Sequence, residues 1–352
     1  MTDQVIIERE GRLGRLRLNR PKAIHALTHE MCVAMSGALL EWMADDDIDA
    51  VMIDHAEGRG FCAGGDVIAL YESGKTDGKA AAAFFHAEYR LNHLLFTYPK
   101  PVVAFMDGIT MGGGVGISMP CTYRVATENT RLAMPETGIG LFPDVGGGRY
   151  LSRLPGSVGE FMALTGARLD GAECHYLGLA THYVATADLE ELKERIVAQP
   201  ARLQGALGNA SSTPPEARIE ENLLRIAKHF QHGTVEEICE SLENGESEWS
   251  DAERDTIGTK SPLSLKVSLR LVREGAERED FADEMRHEYA LACNVVKTHD
   301  FIEGVRALLV DKDNEPKFDP ATPQGVSDEM VDALFAPLPD SEAWTPFPET
   351  QS

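Results

Sequence analysis

The chain has too little positive charge for a nucleic-acid or membrane-surface protein. Lysines and arginines number 33 against 57 aspartates and glutamates, a formal net charge of −24 over 352 residues. Polyanions and anionic bilayers both need basic surface, so neither is expected as a main partner. A small anionic ligand is not excluded, because helix N-termini and a few local cations hold phosphates inside an acidic protein. Paired cysteines are also missing. Cys32, Cys62, Cys121, Cys174, Cys239 and Cys293 never approach closer than thirty positions, which removes any C-x-x-C metal or redox pair. Scattered, inert thiols fit a reducing compartment. No window approaches eighteen consecutive apolar residues, so no membrane-crossing helix is expected. Met1-Thr2-Asp3-Gln4 runs into a strand-like stretch without a secretory signal, and a cytoplasmic protein is the simplest expectation.

Several nucleotide and nucleophile motifs fail by one residue. Gly74-Lys75-Thr76 has Ala69 where a phosphate-binding loop needs its first glycine. Gly112-Gly113-Gly114-Val115-Gly116 is followed by Ile117, not by the last glycine of a dinucleotide fingerprint. Gly156-Ser157-Val158-Gly159 is preceded by Pro155, so it is no nucleophile elbow. His25, His29, His86 and His93 form no grouping with acids or cysteines that suits a metal.

What is present centres on residues 134–148. Glu136 and Asp144 lie eight residues apart among glycines, prolines and apolar residues, with no other charge until Arg149. Carboxylates in such company sit either in a solvated turn or in an apolar pocket, where desolvation raises their pKa and makes them usable acids, bases or nucleophiles. Upstream, two strand-like runs each precede a glycine-rich stretch and a helix. Ala50–Asp54 leads into Gly58–Asp66, and Pro101–Met106 into Gly108–Gly116. Glycines at these points open backbone N–H groups to a ligand, and those entering an apolar helix suit a developing negative charge.

The remaining pattern is α/β with a largely parallel sheet. Val5–Arg9 and Leu13–Leu18 read as a hairpin. A helix over 26–45 has Thr28 as its N-cap, and Ala80–Tyr98 is a helix carrying Glu88 among aromatic, histidine and apolar residues. No strand signal follows residue 187. Residues 188–198 read as an amphipathic helix and 201–216 as a loop. Successive helices follow, at Ala217–His232, Thr234–Glu243, Trp249–Gly258, Pro262–Gly275 and Phe281–Leu309. The expected division is a core over 1–200, a helical region over 201–320 and an irregular, acidic, proline-rich tail over 321–352 with one short helix near Asp328–Phe335.

Phe61-Cys62-Ala63-Gly64-Gly65-Asp66, Met111-Gly112-Gly113-Gly114 and Pro135-Glu136, in that order, resemble the signatures of the crotonase (enoyl-CoA hydratase/isomerase) superfamily. Asn19–Leu27 resembles its first acyl-CoA contact segment. The stretches 84–92, 108–116, 135–148 and 299–313 are similar to 3-hydroxyisobutyryl-CoA hydrolases within it. The resemblance implies a ββα spiral core with a helical C-terminal region. It implies an acyl-CoA substrate and no separate cofactor or metal, since coenzyme A belongs to substrate and product. It assigns the N–H groups of Gly65 and Gly113 to the thioester oxyanion, and Glu136 to attack on the thioester or to activation of water. Asp144 would bind a substrate 3-hydroxyl, and Glu88 would add a polar contact. Lys22, Ala23, Ala63 and Asp66 would lie along coenzyme A. Hydratases place a second glutamate where this chain has Gly116 and usually a glycine where it has Asp144, which favours hydrolysis, with valine degradation as its setting. A hydratase or isomerase and a non-catalytic acyl-CoA-binding protein are the alternatives. A homo-oligomer is compatible with the resemblance, as is a tail folded back over its own site.

Overall fold

Alternation along the first strands decides where the chain's two layers of core lie. In the computed structural model, which describes residues 2–348, β1 (Val5–Glu10) and β2 (Leu13–Leu18) form an antiparallel hairpin. Strands β3 (Ala50–His55), β5 (Val102–Met106), β7 (Tyr123–Ala126) and β10 (His182–Tyr183) extend it in parallel, in the order β1-β2-β3-β5-β7-β10. Successive side chains point to opposite faces. Val51 and Ile53 of β3 therefore join the main core, while Ala50 and Met52 join a second cluster beneath two later helices. At the hairpin edge Arg15 of β2 meets the buried Asp54 at 2.6 Å, an ion pair that fixes the β2–β3 register with a buried partner.

The two glycine-rich stretches are more than loops. Each contains a three-residue strand, β4 (Gly60–Cys62) and β6 (Ile109–Met111). With β8 (Arg131–Ala133) and β9 (Leu169–Asp170) they make a second sheet, β4-β6-β8-β9. Long strand, short strand and helix thus repeat along the chain, as the ββα spiral requires.

The helices that matter to the site come from this repeat. Helix α1 (His29–Met43) begins where Thr28 accepts the N–H of Met31 at 3.2 Å. Helix α2 (Val67–Gly74) and helix α3 (Lys79–Phe96) follow β4, and α4 (Gly113–Ser118) follows β6. Next come α5 (Gly147–Ser152), α6 (Val158–Thr165) and α7 (Gly171–Tyr176). Helix α8 (Leu189–Ala198) agrees with its amphipathic pattern.

The supposed loop over 201–216 is a correction. Residues Leu203–Ala210 form helix α9, because Leu203 and Leu207, four apart, cap the second core cluster beside Leu192 and Ile196 of α8. The loop proper begins at Ser211. Helices α10 (Leu223–Phe230), α11 (Val235–Glu243), α12 (Glu248–Ile257) and α13 (Pro262–Gly275) then pack against the spiral.

A single helix over 281–309 is also corrected. It divides into α14 (Phe281–Val295) and α15 (His299–Val305), with Thr298 starting the second as an N-cap. A π-helical turn, Arg306–Val310, completes α15. The tail is irregular apart from a 3₁₀ turn at Pro323–Gly325 and α16 (Asp328–Leu334). It is nonetheless anchored. Trp344 is fully buried and donates its indole N–H to the carbonyl of His86 on α3 at 3.3 Å. The main apolar core accordingly runs from Val5 to Trp344.

Candidate active site

Helix α3 supplies one wall. Phe84, Glu88 and Asn92 recur every four residues, and Phe85 and Tyr89 lie beside them, so one buried face carries an acid, an amide and a phenol among aromatic rings. The facing wall is the turn after β8. Glu136 opens a 3₁₀ turn, Glu136–Ile139, and Leu141 N–H closes on the Glu136 carbonyl at 3.0 Å. Asp144 sits in a second turn, closed by Gly147 N–H to its own carbonyl at 2.8 Å. The floor is the pair of glycine turns. The bridge between Leu27 and Gly65 uses the Gly64 carbonyl and the Asp66 N–H. Gly65 N–H takes no part in that bridge. Gly113 is the first residue of α4, where an N–H has no partner within the helix. A Cβ at Gly113 would stand 2.4 Å from Oε1 of Glu88, so a side chain there would displace that acid.

These walls enclose a cavity of about 260 Å³. Glu88, Glu136, Asp144, Gly65, Gly113 and Ala63 all line it. All three acids are buried, at 2%, 6% and 5% exposure. Oε1 of Glu88 and Oε2 of Glu136 have no hydrogen-bond partner. A buried carboxylate oxygen without a partner is costly, and both of these belong to residues that line the cavity. Asp144 is satisfied: the Tyr89 hydroxyl donates to its Oδ2 at 2.7 Å.

Electrostatics separate the three. Burial, then the nearby charge of Asp144, pushes Glu136 well above the usual carboxylate range. Burial, then Asp144 and Glu136, does the same to Glu88. Burial raises Asp144 to about 6, with the Tyr89 hydrogen bond holding it down. The charge of Asp144 opposes ionisation of both glutamates, as a like charge does in a shared cavity.

Three expected contacts lie outside the cavity lining. Lys22 is exposed in the short turn Pro21–Ala23, and Ala23 lies beside it. Asp66 caps α2 and pairs with Arg20 at 3.0 Å, which occupies its carboxylate in the fold. The structure adds Tyr89, adjacent to Glu88, and Leu308 and Leu309 of the π turn, which close the cavity from the far end of the chain. Only the tertiary fold brings those leucines to residues 63–144, and no local sequence pattern signals it. Among the described residues no cluster of three or more acids, histidines and cysteines is disposed to hold a metal.

The place of Gly116 is informative. A Cβ there would stand 2.6 Å from Cβ of Val145 and 3.0 Å from Nδ2 of Asn92. The position one turn into α4 therefore has neither an acid nor space for one.

Residues 13–335 match the family model described as enoyl-CoA hydratase/isomerase. The chain is 43% identical to the mitochondrial 3-hydroxyisobutyryl-CoA hydrolase of Danio rerio, over 96% of this chain and 91% of that protein. The solved structure of a carnitinyl-CoA dehydratase from Mycobacterium thermoresistibile is 42% identical, covers 96% of this chain and 98% of that one, and has a TM-score of 0.93. An enoyl-CoA hydratase from Rhodobacter sphaeroides is 35% identical over 97% of this chain and all of its own, with a TM-score of 0.90. A six-stranded and a four-stranded sheet built from repeated strand–strand–helix units, glycine turns beside a buried glutamate, and a match over most of the chain agree: this protein belongs to the enoyl-CoA hydratase/isomerase family.

Proposed function

We propose that the protein hydrolyses a short 3-hydroxyacyl-CoA thioester, with 3-hydroxyisobutyryl-CoA as the best substrate, to the free hydroxy acid and coenzyme A. One observation carries this reading. The cavity holds Glu136 and Asp144 against two glycine turns, while the site of a second hydratase-type acid, at Gly116, is filled by Val145 and Asn92. The sequence likeness to a 3-hydroxyisobutyryl-CoA hydrolase supports the choice of acyl group.

The thioester oxygen would lie against the N–H groups of Gly65 and Gly113. There it gains negative charge as the carbonyl carbon becomes tetrahedral, and a single such donor is worth about 10²–10³ in rate. Ionised Glu136 either attacks that carbon, giving an acyl-glutamate anhydride that water then opens, or takes a proton from the attacking water. In both routes the C–S bond breaks, the thiolate leaves with coenzyme A and takes a proton, and water supplies the oxygen of the product acid. Asp144, held by Tyr89, would accept the substrate 3-hydroxyl. Leu308 and Leu309 would keep bulk water off the acyl end. The cytoplasmic setting belongs to the same reading, and six free cysteines fit any reducing compartment. No helix among the described residues is long and apolar enough to cross a membrane.

The test is thiol release from 3-hydroxyisobutyryl-CoA beside hydration of crotonyl-CoA. Release by the wild-type protein, lost in Glu136→Ala, is expected. Hydration without thiol release would overturn the proposal.

A further inference from the structure

Asp144 is held on two sides, and only one of them is in the cavity. Its neighbour Val145 has φ +57°, a left-handed conformation that strains a β-branched residue. Such a turn persists when its surroundings impose it. The surroundings here include a carboxylate from 142 positions downstream. Glu288, in the middle of α14, is fully buried. Its Oε2 accepts the N–H of Gly146 at 2.7 Å and its Oε1 accepts the N–H of Gly148 at 3.2 Å. Both oxygens thereby accept from the backbone that immediately follows Asp144 and Val145. Glu288 does not line the cavity, so it takes no part in substrate contact.

The contact is built closely. Glu284, one turn earlier on α14, is also fully buried and lies so near Gly148 that any side chain there would overlap its Oε1. Glycines at 146 and 148 let α14 reach the main chain and leave their N–H groups to it.

We propose that Glu288 is a positioning residue: by accepting both glycine N–H groups it imposes the strained turn at Val145 and so aims Asp144 at the cavity. The inference rests on the hydrolase reading in taking Asp144 as a group of the reacting site. A glutamine at 288 keeps the shape but offers one acceptor and one NH₂, so one glycine N–H would face a donor.

The experiment compares wild type, Glu288→Gln, Asp144→Asn and the double variant in the thiol-release assay, with amide hydrogen exchange of the 142–150 segment measured on each. Glu288→Gln is expected to lower kcat on the order of 10–100-fold, as a misplaced group does, with KM changed less than about threefold. It should exchange faster at 142–150, and its kcat loss should vanish on the Asp144→Asn background. Glu288→Asp, which keeps the carboxylate but withdraws it by one methylene, should fall between; it serves also if the glutamine variant does not fold. An unchanged kcat, or an equal loss with and without Asp144, would overturn the proposal. Hydrogen exchange reads the hold on the turn whatever the reaction. Absence of thiol release from wild type would thus refute the hydrolase reading, while unchanged exchange in Glu288→Gln would refute the clamp.

Discussion

The hydroxyl of Tyr89 donates to Oδ2 of Asp144 across 2.7 Å, inside the protein and between two segments 55 positions apart. This hydrogen bond favours the ionised form of Asp144. Tyr89→Phe removes the donor and keeps the ring. A hydrogen bond to a charged group is worth about 1.5–3 kcal/mol, so kcat for thiol release should fall roughly ten- to hundredfold. A variant as active as wild type would separate Asp144 from the chemistry.

Stability and activity should oppose each other at Asp144. Burial raises its carboxyl from 3.8 to about 6. Between those values the unfolded chain has released a proton that the folded chain still holds. Stability from this group is therefore greatest below pH 3.8, falls as pH rises toward 6, and levels off above. Asp144→Asn removes that loss and retains an acceptor for Tyr89. Urea unfolding at pH 7 should show the variant more stable by about 1–3 kcal/mol, with the gap closing near pH 4. A gap that stays constant across this range would contradict the assignment.

Glu136 must lose its proton to act as nucleophile or base, and both burial and Asp144 oppose that loss. The kcat/KM profile should accordingly rise with pH on a limb above the ordinary carboxylate range. In Asp144→Asn the residual activity should show the limb displaced to lower pH, because the like charge is gone. A limb that stays in place would mean that the two acids are independent.

Restoring a hydratase-like acid should fail. Gly116→Glu would drive a side chain into Val145 and Asn92, and overpacking of this kind costs about 1–3 kcal/mol or more. The variant should unfold at lower urea and show no crotonyl-CoA hydration. Gain of hydration would show that the space can be re-formed.

Local patterns carried much of the architecture. Thr28, the hairpin at Glu10-Gly11 and the proline-led α13 all follow from short-range chemistry, and each forms as expected. Three-residue strands such as Gly60–Cys62 are too short to alternate, so they are visible only through their partners in the second sheet. Helix α9 hides behind its glycines and asparagine, since the burial of Leu203 and Leu207 against the sheet, not propensity, makes it a helix. The acids of the cavity stood out because charge is scarce around them. Tyr89 and Glu288 did not, because a phenol and a glutamate in a helix look the same whether they meet solvent or a turn 55 or 142 positions away.

The leucines that close the cavity lie at 308 and 309, whereas its last acid lies at 144. At roughly 5–20 residues per second, synthesis of the intervening chain takes about 10–30 seconds. Throughout that interval the wall that Leu308 and Leu309 supply to the cavity of Glu88, Glu136 and Asp144 has not been made. Burial disfavours the charged form of Glu88 and Glu136, so each part of the wall that arrives makes their ionisation harder. A chain released before residue 308 would therefore lack that wall and leave the apolar shielding of its acids incomplete.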